Sequence, residues 1–152
     1  MEWTDGEFTV TCDPEKQDLD VIHGFLRQAY WSRGIAREIV ARSLRNSLCF
    51  ALLHRDKQVG FARVISDLAT IAYLGDVFVL PEYRGRGLSK WLMQCVTQHP
   101  DLQGLRRWIL ATSDAHGLYR QFGFTALAKP EIFMERHVPN IYIRDALGRF
   151  IE

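Results

Sequence analysis

Apolar residues recur at helical spacing in three stretches of the chain and crowd into short runs in several others. Val21, Ile22, Phe25, Leu26 and Ala29 predict a helix that Asp18 or Asp20 can cap, and Tyr30-Trp31-Ser32-Arg33-Gly34 ends it. Ile35, Ile39, Val40 and Leu44 stripe a second, shorter helix over 35–44. Leu88, Leu92, Cys95 and Val96 stripe a third over 88–99, which Pro100 stops. Short apolar runs predict strands at 8–11, 48–54, 59–66 and 71–80, with Asp56-Lys57 as a hairpin turn between the second and third. A buried strand follows at 108–112, then a short helix over 114–122 that Gly123 ends. Segments 125–127 and 132–137 predict a hairpin that closes the sheet.

Only the strand–helix–strand unit over 71–112 demands a parallel pair, through a right-handed crossover. The remaining strands suit antiparallel pairing, so the sheet is expected to be mixed and mostly antiparallel. The 152 residues, 47% of them apolar, suit one domain with its own core. That core is expected over about 8–137, and a tail at 138–152 has apolar spacing too weak to place. A formal net charge of +1 argues against nucleic acid as a partner. Three widely spaced cysteines (Cys12, Cys49 and Cys95) suit reduced thiols in a cytoplasm, and Cys95 falls on an apolar stripe as a core thiol. The five histidines show no metal-binding spacing, the N-terminus shows no signal pattern, and no apolar run is long enough to span a membrane.

One segment stands apart. Residues 77–93 read as the end of a buried strand, then Arg84-Gly85-Arg86-Gly87, then an amphipathic helix beginning at Leu88-Ser89. Glycines let a backbone approach a ligand closely, and a helix N-terminus offers unpaired amides at the positive end of its dipole. Together they form a phosphate socket, which Arg84 and Arg86 reinforce. The motif is not a P-loop, because Gly-Lys-Ser/Thr is missing, nor a dinucleotide fingerprint, because the third glycine and its acidic partner are missing. A plain strand-to-helix turn would use the same glycines.

The run Arg84-Gly85-Arg86-Gly87-Leu88-Ser89 resembles the R-x-x-G-x-G/A signature of the GNAT N-acetyltransferase superfamily, with serine in the last position. Leu118-Tyr119-Arg120-Gln121-Phe122-Gly123-Phe124 is similar to that family's second signature, a helical tyrosine followed by Gly-Phe. The resemblance implies a mixed sheet with helices on both faces, splayed between two central parallel strands that end near Leu80 and Thr112. It implies acetyl-coenzyme A as cofactor, held by Arg84 to Ser89, with backbone amides near Phe78 and Val79 facing the thioester. It implies Tyr119 as hydrogen-bond donor to the departing thiolate; a core tyrosine is the competing reading. The same resemblance places the acceptor pocket at Tyr30, Trp31 and Arg33, which could equally be helix-end packing. Asp114 stands where relatives often carry asparagine and is expected to cap the helix of Tyr119.

Acetyl transfer to an amine first needs that amine neutral, which for a lysine-like group of pKa ~10.4 costs about 4.6 kcal/mol at pH 7. A nearby base eases this. Asp76 is the first candidate because aspartate is depleted within strands, and it should share a face with Phe78 and Leu80. An ion pair with Arg63 on the preceding strand explains the same residue structurally. Glu82 is the second candidate. The sequence therefore predicts a metal-free, cytoplasmic N-acetyltransferase that uses direct attack by an amine of a small molecule or peptide. A non-catalytic acyl-coenzyme A sensor and a nucleotide-binding protein are the alternatives; a homodimer is left open.

Overall fold

The computed structural model describes residues 1–144, 148 and 149; part of the expected tail, residues 145–147 and 150–152, lies outside the described residues. Six strands form one sheet in sequential order: β1 (Glu2–Asp5), β2 (Phe8–Thr11), β3 (Leu48–His54), β4 (Lys57–Ser66), β5 (Ile71–Val79) and β6 (Arg107–Leu110). All neighbours are antiparallel except β5 and β6, which pair in parallel. The helices are α1 (Leu19–Leu26), α2 (Arg37–Arg45), α3 (Leu88–Gln98) and α4 (His116–Arg120). The chain is thus a mixed, mostly antiparallel α/β fold, with α3 crossing from β5 to β6. No helix among the described residues is long and apolar enough to cross a membrane.

Each sheet face has its own core. On one, Ile22 and Leu26 of α1 and Val40 of α2 bury against Cys49, Phe61 and Phe78. Phe25 adds an offset stack on Phe78, with ring centroids 4.0 Å apart. On the other, Leu88, Leu92, Met93, Cys95 and Val96 of α3 cover Phe50, Leu52, Val64, Ala72 and Leu74, and Tyr119 joins them. Burying an aliphatic side chain of this size stabilises by about 1.5–3 kcal/mol. The two cores therefore fix β5 from both sides, and β5 carries the residues that matter below.

Several elements differ from the sequence expectation. β1 is not expected from the mostly polar Glu2–Asp5; it pairs along its length with β2, and its one large apolar side chain, Trp3, stacks on Phe50 at 6.2 Å. α1 stops at Leu26 rather than continuing through Ala29: the chain tightens into i→i+3 turns there, and the Leu26 carbonyl accepts from the Ala29 amide at 3.3 Å and from Ser32 Oγ at 2.7 Å. The β3–β4 turn is Arg55-Asp56, with Arg55 at φ 55°, and Lys57 already belongs to the strand. β6 is half-buried rather than buried, as it forms the sheet edge. Asp114 does not cap α4: the Thr112 hydroxyl accepts from the Asp114 and Ala115 amides instead, at 3.4 and 3.1 Å. The hairpin expected from 125–127 and 132–137 does not form. Pro130–Ile132 winds into a 3-10 turn, and the Phe133 ring is held under the Arg107 guanidinium 5.0 Å away.

Asp18 is the cap of α1, accepting from the Asp20 and Val21 amides at 3.0 and 3.2 Å. Its own amide donates to buried Gln58 at 2.7 Å, which fastens the helix start to β4. Asp18→Ala should lower unfolding free energy by about 1 kcal/mol, read by urea denaturation. An unchanged midpoint would mean that α1 is held by its apolar face alone.

Candidate active site

The parallel pairing of β5 with β6 runs from Ile71↔Arg107 to Leu74↔Leu110 and stops there. β5 continues to Val79 without that neighbour, so its outer edge from Gly75 onward borders a gap. At the start of the gap the β4–β5 register slips, and Asp76 takes a left-handed conformation, φ 54°. Aspartate tolerates this region better than most residues. Beyond the bulge, Phe78 faces Phe61 and Val79 faces Gly60, while the Leu80 amide donates to Val59 at 2.8 Å. Antiparallel alternation then aims the Phe78 amide at β4 and the Val79 amide into the gap. Of the two amides expected there, only that of Val79 is placed to face a ligand.

The carbonyl of Val79 also points out of the ladder, and Arg84 Nε donates to it at 2.9 Å. Arg84 thus ties the glycine turn to the strand end and leaves Val79 presenting a donor. Gly85 and Gly87 have φ of 78° and 76°, a conformation costly for other residues, and Gly87 is the N-cap of α3. A Cβ on either would meet no atom within 4 Å, so the turn is open above both. The main-chain amides of Gly85, Arg86, Gly87, Leu88 and Ser89 donate to no group of the described chain. Five unpaired donors leading into a helix N-terminus are an arrangement able to receive an anion. Arg86 lies beside it, its guanidinium 5.1 Å from the Tyr83 ring centroid.

Across the gap, the loop between α1 and α2 is pinned to both diverging arms. Trp31 Nε1 donates to Asp76 Oδ1 at 2.8 Å. The Tyr30 hydroxyl accepts from the Ser113 amide at 3.2 Å and from Ser113 Oγ at 2.8 Å. Asp76 Oδ2 accepts from Arg63 Nε at 2.8 Å, and both side chains of this pair are mostly buried, at 12% and 18% exposed. Arg63 Nη1 reaches on to Ser47 Oγ at 3.0 Å. The ion pair weighed for Asp76 therefore exists, and its carboxylate is bonded through both oxygens.

Tyr119, on α4, is 8% exposed and packs edge-on against Phe124. Its hydroxyl meets no protein hydrogen-bond partner among the described residues. Burial, with smaller contributions from Asp114 and Tyr30, pushes that phenol up to about 12. Tyr119 is thus held neutral, as a donor, through the physiological range. Among the described residues no group of three His, Cys, Asp or Glu side chains could hold a metal ion.

A family model described as an acetyltransferase (GNAT) domain matches residues 45–126, which span β3 to the segment after α4. The chain belongs to the GNAT acetyltransferase family. A protein of Gibberella zeae described as a candidate acetyltransferase is 31% identical, over 77% of this chain and 78% of its own length. The peptidyl-lysine N-acetyltransferase YjaB of Salmonella typhimurium is 29% identical, over 77% of this chain and 76% of its own. A crystal structure of a candidate GNAT-family acetyltransferase from Xanthomonas campestris superposes with a TM-score of 0.87 at 55% identity, covering 89% of this chain and 96% of that one.

In this GNAT domain, Tyr30, Trp31, Asp76 and Val79 border the gap, Tyr119 packs in the α3-side core on α4, and the Arg84–Ser89 turn lies at the end of the strand that lines the gap. Glu82 is exposed in the turn Pro81–Tyr83; its carbonyl accepts from Arg86 Nη2 at 3.5 Å, and its carboxylate bonds to none of these residues. Arg33 is exposed and lines a cleft of about 460 Å³ with Tyr30, Trp31, His137 and Tyr142. Ser113, which anchors Tyr30, carried no signal in the sequence; its role arises only because the loop after β6 meets the loop after α1. His54 likewise meets Tyr83, just before the glycine turn, only through the fold.

Removing one member of the Arg63–Asp76 pair strands the other. Arg63→Met should destabilise by about 3 kcal/mol, the low end for a pair of this burial. Arg63→Met combined with Asp76→Asn should recover part of that loss. A double-variant loss equal to the sum of those of Arg63→Met and Asp76→Asn alone, measured by chemical denaturation, would show that the two side chains are not coupled.

Proposed function

We propose that this domain transfers the acetyl group of acetyl-coenzyme A to a primary amine of a small molecule or peptide, by direct attack. The observation that carries this is the set of five unpaired amides at Gly85–Ser89, set at the end of the strand whose Val79 amide faces the gap. The residues fit the cofactor: the cradle is open, cationic at its rim, and free of internal partners. Acetyl-coenzyme A bound there supplies a thioester carbonyl and a sulfur leaving group.

The chain's own groups divide the remaining work. Gly85–Ser89 bind the pyrophosphate through main-chain amides. Val79 N–H stabilises the negative charge that develops on the carbonyl oxygen as the amine attacks. Tyr119 donates a hydrogen bond to the sulfur as the C–S bond breaks. Full proton transfer from a phenol of pKa ~10 to a thiolate of pKa ~8.5 is uphill by about 2 kcal/mol even before burial, so the donated bond is the relevant contribution. Asp76 accepts from the incoming amine. Because it already accepts from Trp31 and Arg63, its part is to orient the nucleophile while the proton leaves towards solvent. Tyr30, Trp31 and Arg33 line the acceptor side. The name of the Salmonella relative makes a lysine side chain within a peptide the first acceptor to test.

Coenzyme A should raise the thermal midpoint of the wild type by mass action, and ATP at equal concentration should not match it. The double variant Gly85→Val/Gly87→Val should lose that response while retaining its far-UV spectrum. Retention of the shift would remove the turn from the binding site. Binding without thiol release across amino acids, polyamines, arylamines and lysine peptides would point to a sensor in place of an enzyme.

Tyr119→Phe should lower turnover by about 10²-fold, with coenzyme A affinity nearly intact by calorimetry. Since burial keeps the phenol neutral, its ionisation should contribute no alkaline fall in rate between about pH 8 and about pH 10. The wild type and Tyr119→Phe should therefore share the shape of that limb. A fall confined to the wild type would show that the hydroxyl ionises within that range.

A further inference from the structure

Behind the phosphate turn, a line of side chains runs back to the far strands of the sheet. Glu7, in the β1–β2 turn, is 2.9 Å from His54 Nε2 through Oε2, and accepts from Arg55 Nη2 through Oε1 at 2.9 Å. His54, the last residue of β3, stacks on Phe8 with centroids 4.8 Å apart and places Nδ1 3.0 Å from the Tyr83 hydroxyl. Tyr83 closes the 3-10 turn Pro81–Tyr83, and its ring carries the Arg86 guanidinium at 5.1 Å. Three successive contacts thus connect Glu7 to a cation of the phosphate turn.

The donor directions along this line follow from Glu7. Hydrogen bonds from Arg55 first, then His54, hold its carboxyl down at about 2, so at neutral pH it only accepts. His54 Nε2 therefore carries a proton. With that proton on Nε2, the Nδ1-lone-pair tautomer accepts the Tyr83 O–H across the 3.0 Å contact. A phenol that donates keeps its ring electron-rich, and that ring is the surface on which Arg86 rests.

We propose that His54 and Tyr83 are positioning residues for donor binding: the Glu7–His54–Tyr83 line fixes the ring that holds Arg86 at the Gly85–Ser89 turn, ready for a pyrophosphate ester. A long, exposed arginine loses rotamer freedom on meeting a ligand, and one already held loses less. The line contacts neither the gap nor the acceptor side, so its effect belongs to the phosphate end of the donor alone. The inference rests on the coenzyme A reading of the turn.

Two donors separate this role from a merely structural one. S-Acetylpantetheine carries the thioester without pyrophosphate, and acetyl-coenzyme A carries both. Tyr83→Leu, which removes ring and hydroxyl, should raise KM for acetyl-coenzyme A about tenfold, with kcat within about twofold. Tyr83→Phe keeps the ring under Arg86, and His54→Phe keeps the stack on Phe8; each should raise KM by about threefold. None should change kcat/KM for S-acetylpantetheine. In an Arg86→Ala background, Tyr83→Leu should add nothing further. Equal losses with both donors, or additive losses with Arg86→Ala, would overturn the proposal. Should Tyr83→Leu fail to fold, Tyr83→Phe and His54→Phe carry the same comparison. Calorimetry with coenzyme A keeps the two readings apart. Wild-type binding with an unaltered Kd in these variants overturns only the positioning role; no wild-type binding overturns the site on which it rests.

Discussion

The early parting of two parallel strands is the constraint on which the rest of this molecule depends. β5 and β6 share a ladder only as far as Leu74 and Leu110. A sheet that stayed zipped would spend the Val79 amide on its neighbour and leave no opening between the two strands. The parting is maintained on both arms. The bulge at Asp76 turns the end of β5, and the loop after β6 is tied through Ser113 to Tyr30. Unpaired strand amides are normally costly to leave exposed to an apolar interior. Here they border a cleft open to ligand, which is where a sheet can leave donors free.

The α1–α2 loop turns that parting into a defined site. Trp31 holds one arm through Asp76 and Tyr30 the other through Ser113, so a single dipeptide bridges the two diverging arms. Asp76 joins structure to chemistry. Its left-handed backbone makes the bulge, its pair with Arg63 compensates a mostly buried charge, and the same carboxylate receives Trp31 from the α1–α2 loop. Such a group cannot be reduced to one role, because removing it disturbs the bulge, the pair and the loop together. At the opposite end, Arg84 performs a comparable double task by holding the Val79 carbonyl beside the glycine turn.

Most elements were legible in the chain because each buries a stripe or an alternating face on its own: α1, α2, α3 and strands β2 to β5 stand close to where their apolar spacing puts them. The failures share a cause. β1 depends on pairing with β2 and on one tryptophan reaching Phe50, and the missing C-terminal hairpin on Phe133 being taken by Arg107. Where α1 stops, the Leu26 carbonyl accepts from the Ala29 amide and from Ser32 Oγ. In each case a partner outside the local apolar pattern goes with the backbone that forms.

By itself the sequence determined the family and the glycine turn before α3, because glycines at positive φ followed by an amphipathic helix write that geometry into consecutive residues. It also brought Asp76 and Arg63 to notice, as charges misplaced within apolar strands. Only the tertiary structure decided that Val79 rather than Phe78 faces the gap, since one slipped residue at the bulge sets which amides point outward. It alone joined Tyr30 to Ser113, 83 residues apart, and His54 to Tyr83, 29 apart. Hydrogen bonds across such separations leave no periodic trace in a chain; they exist only once the sheet has brought its loops to one end.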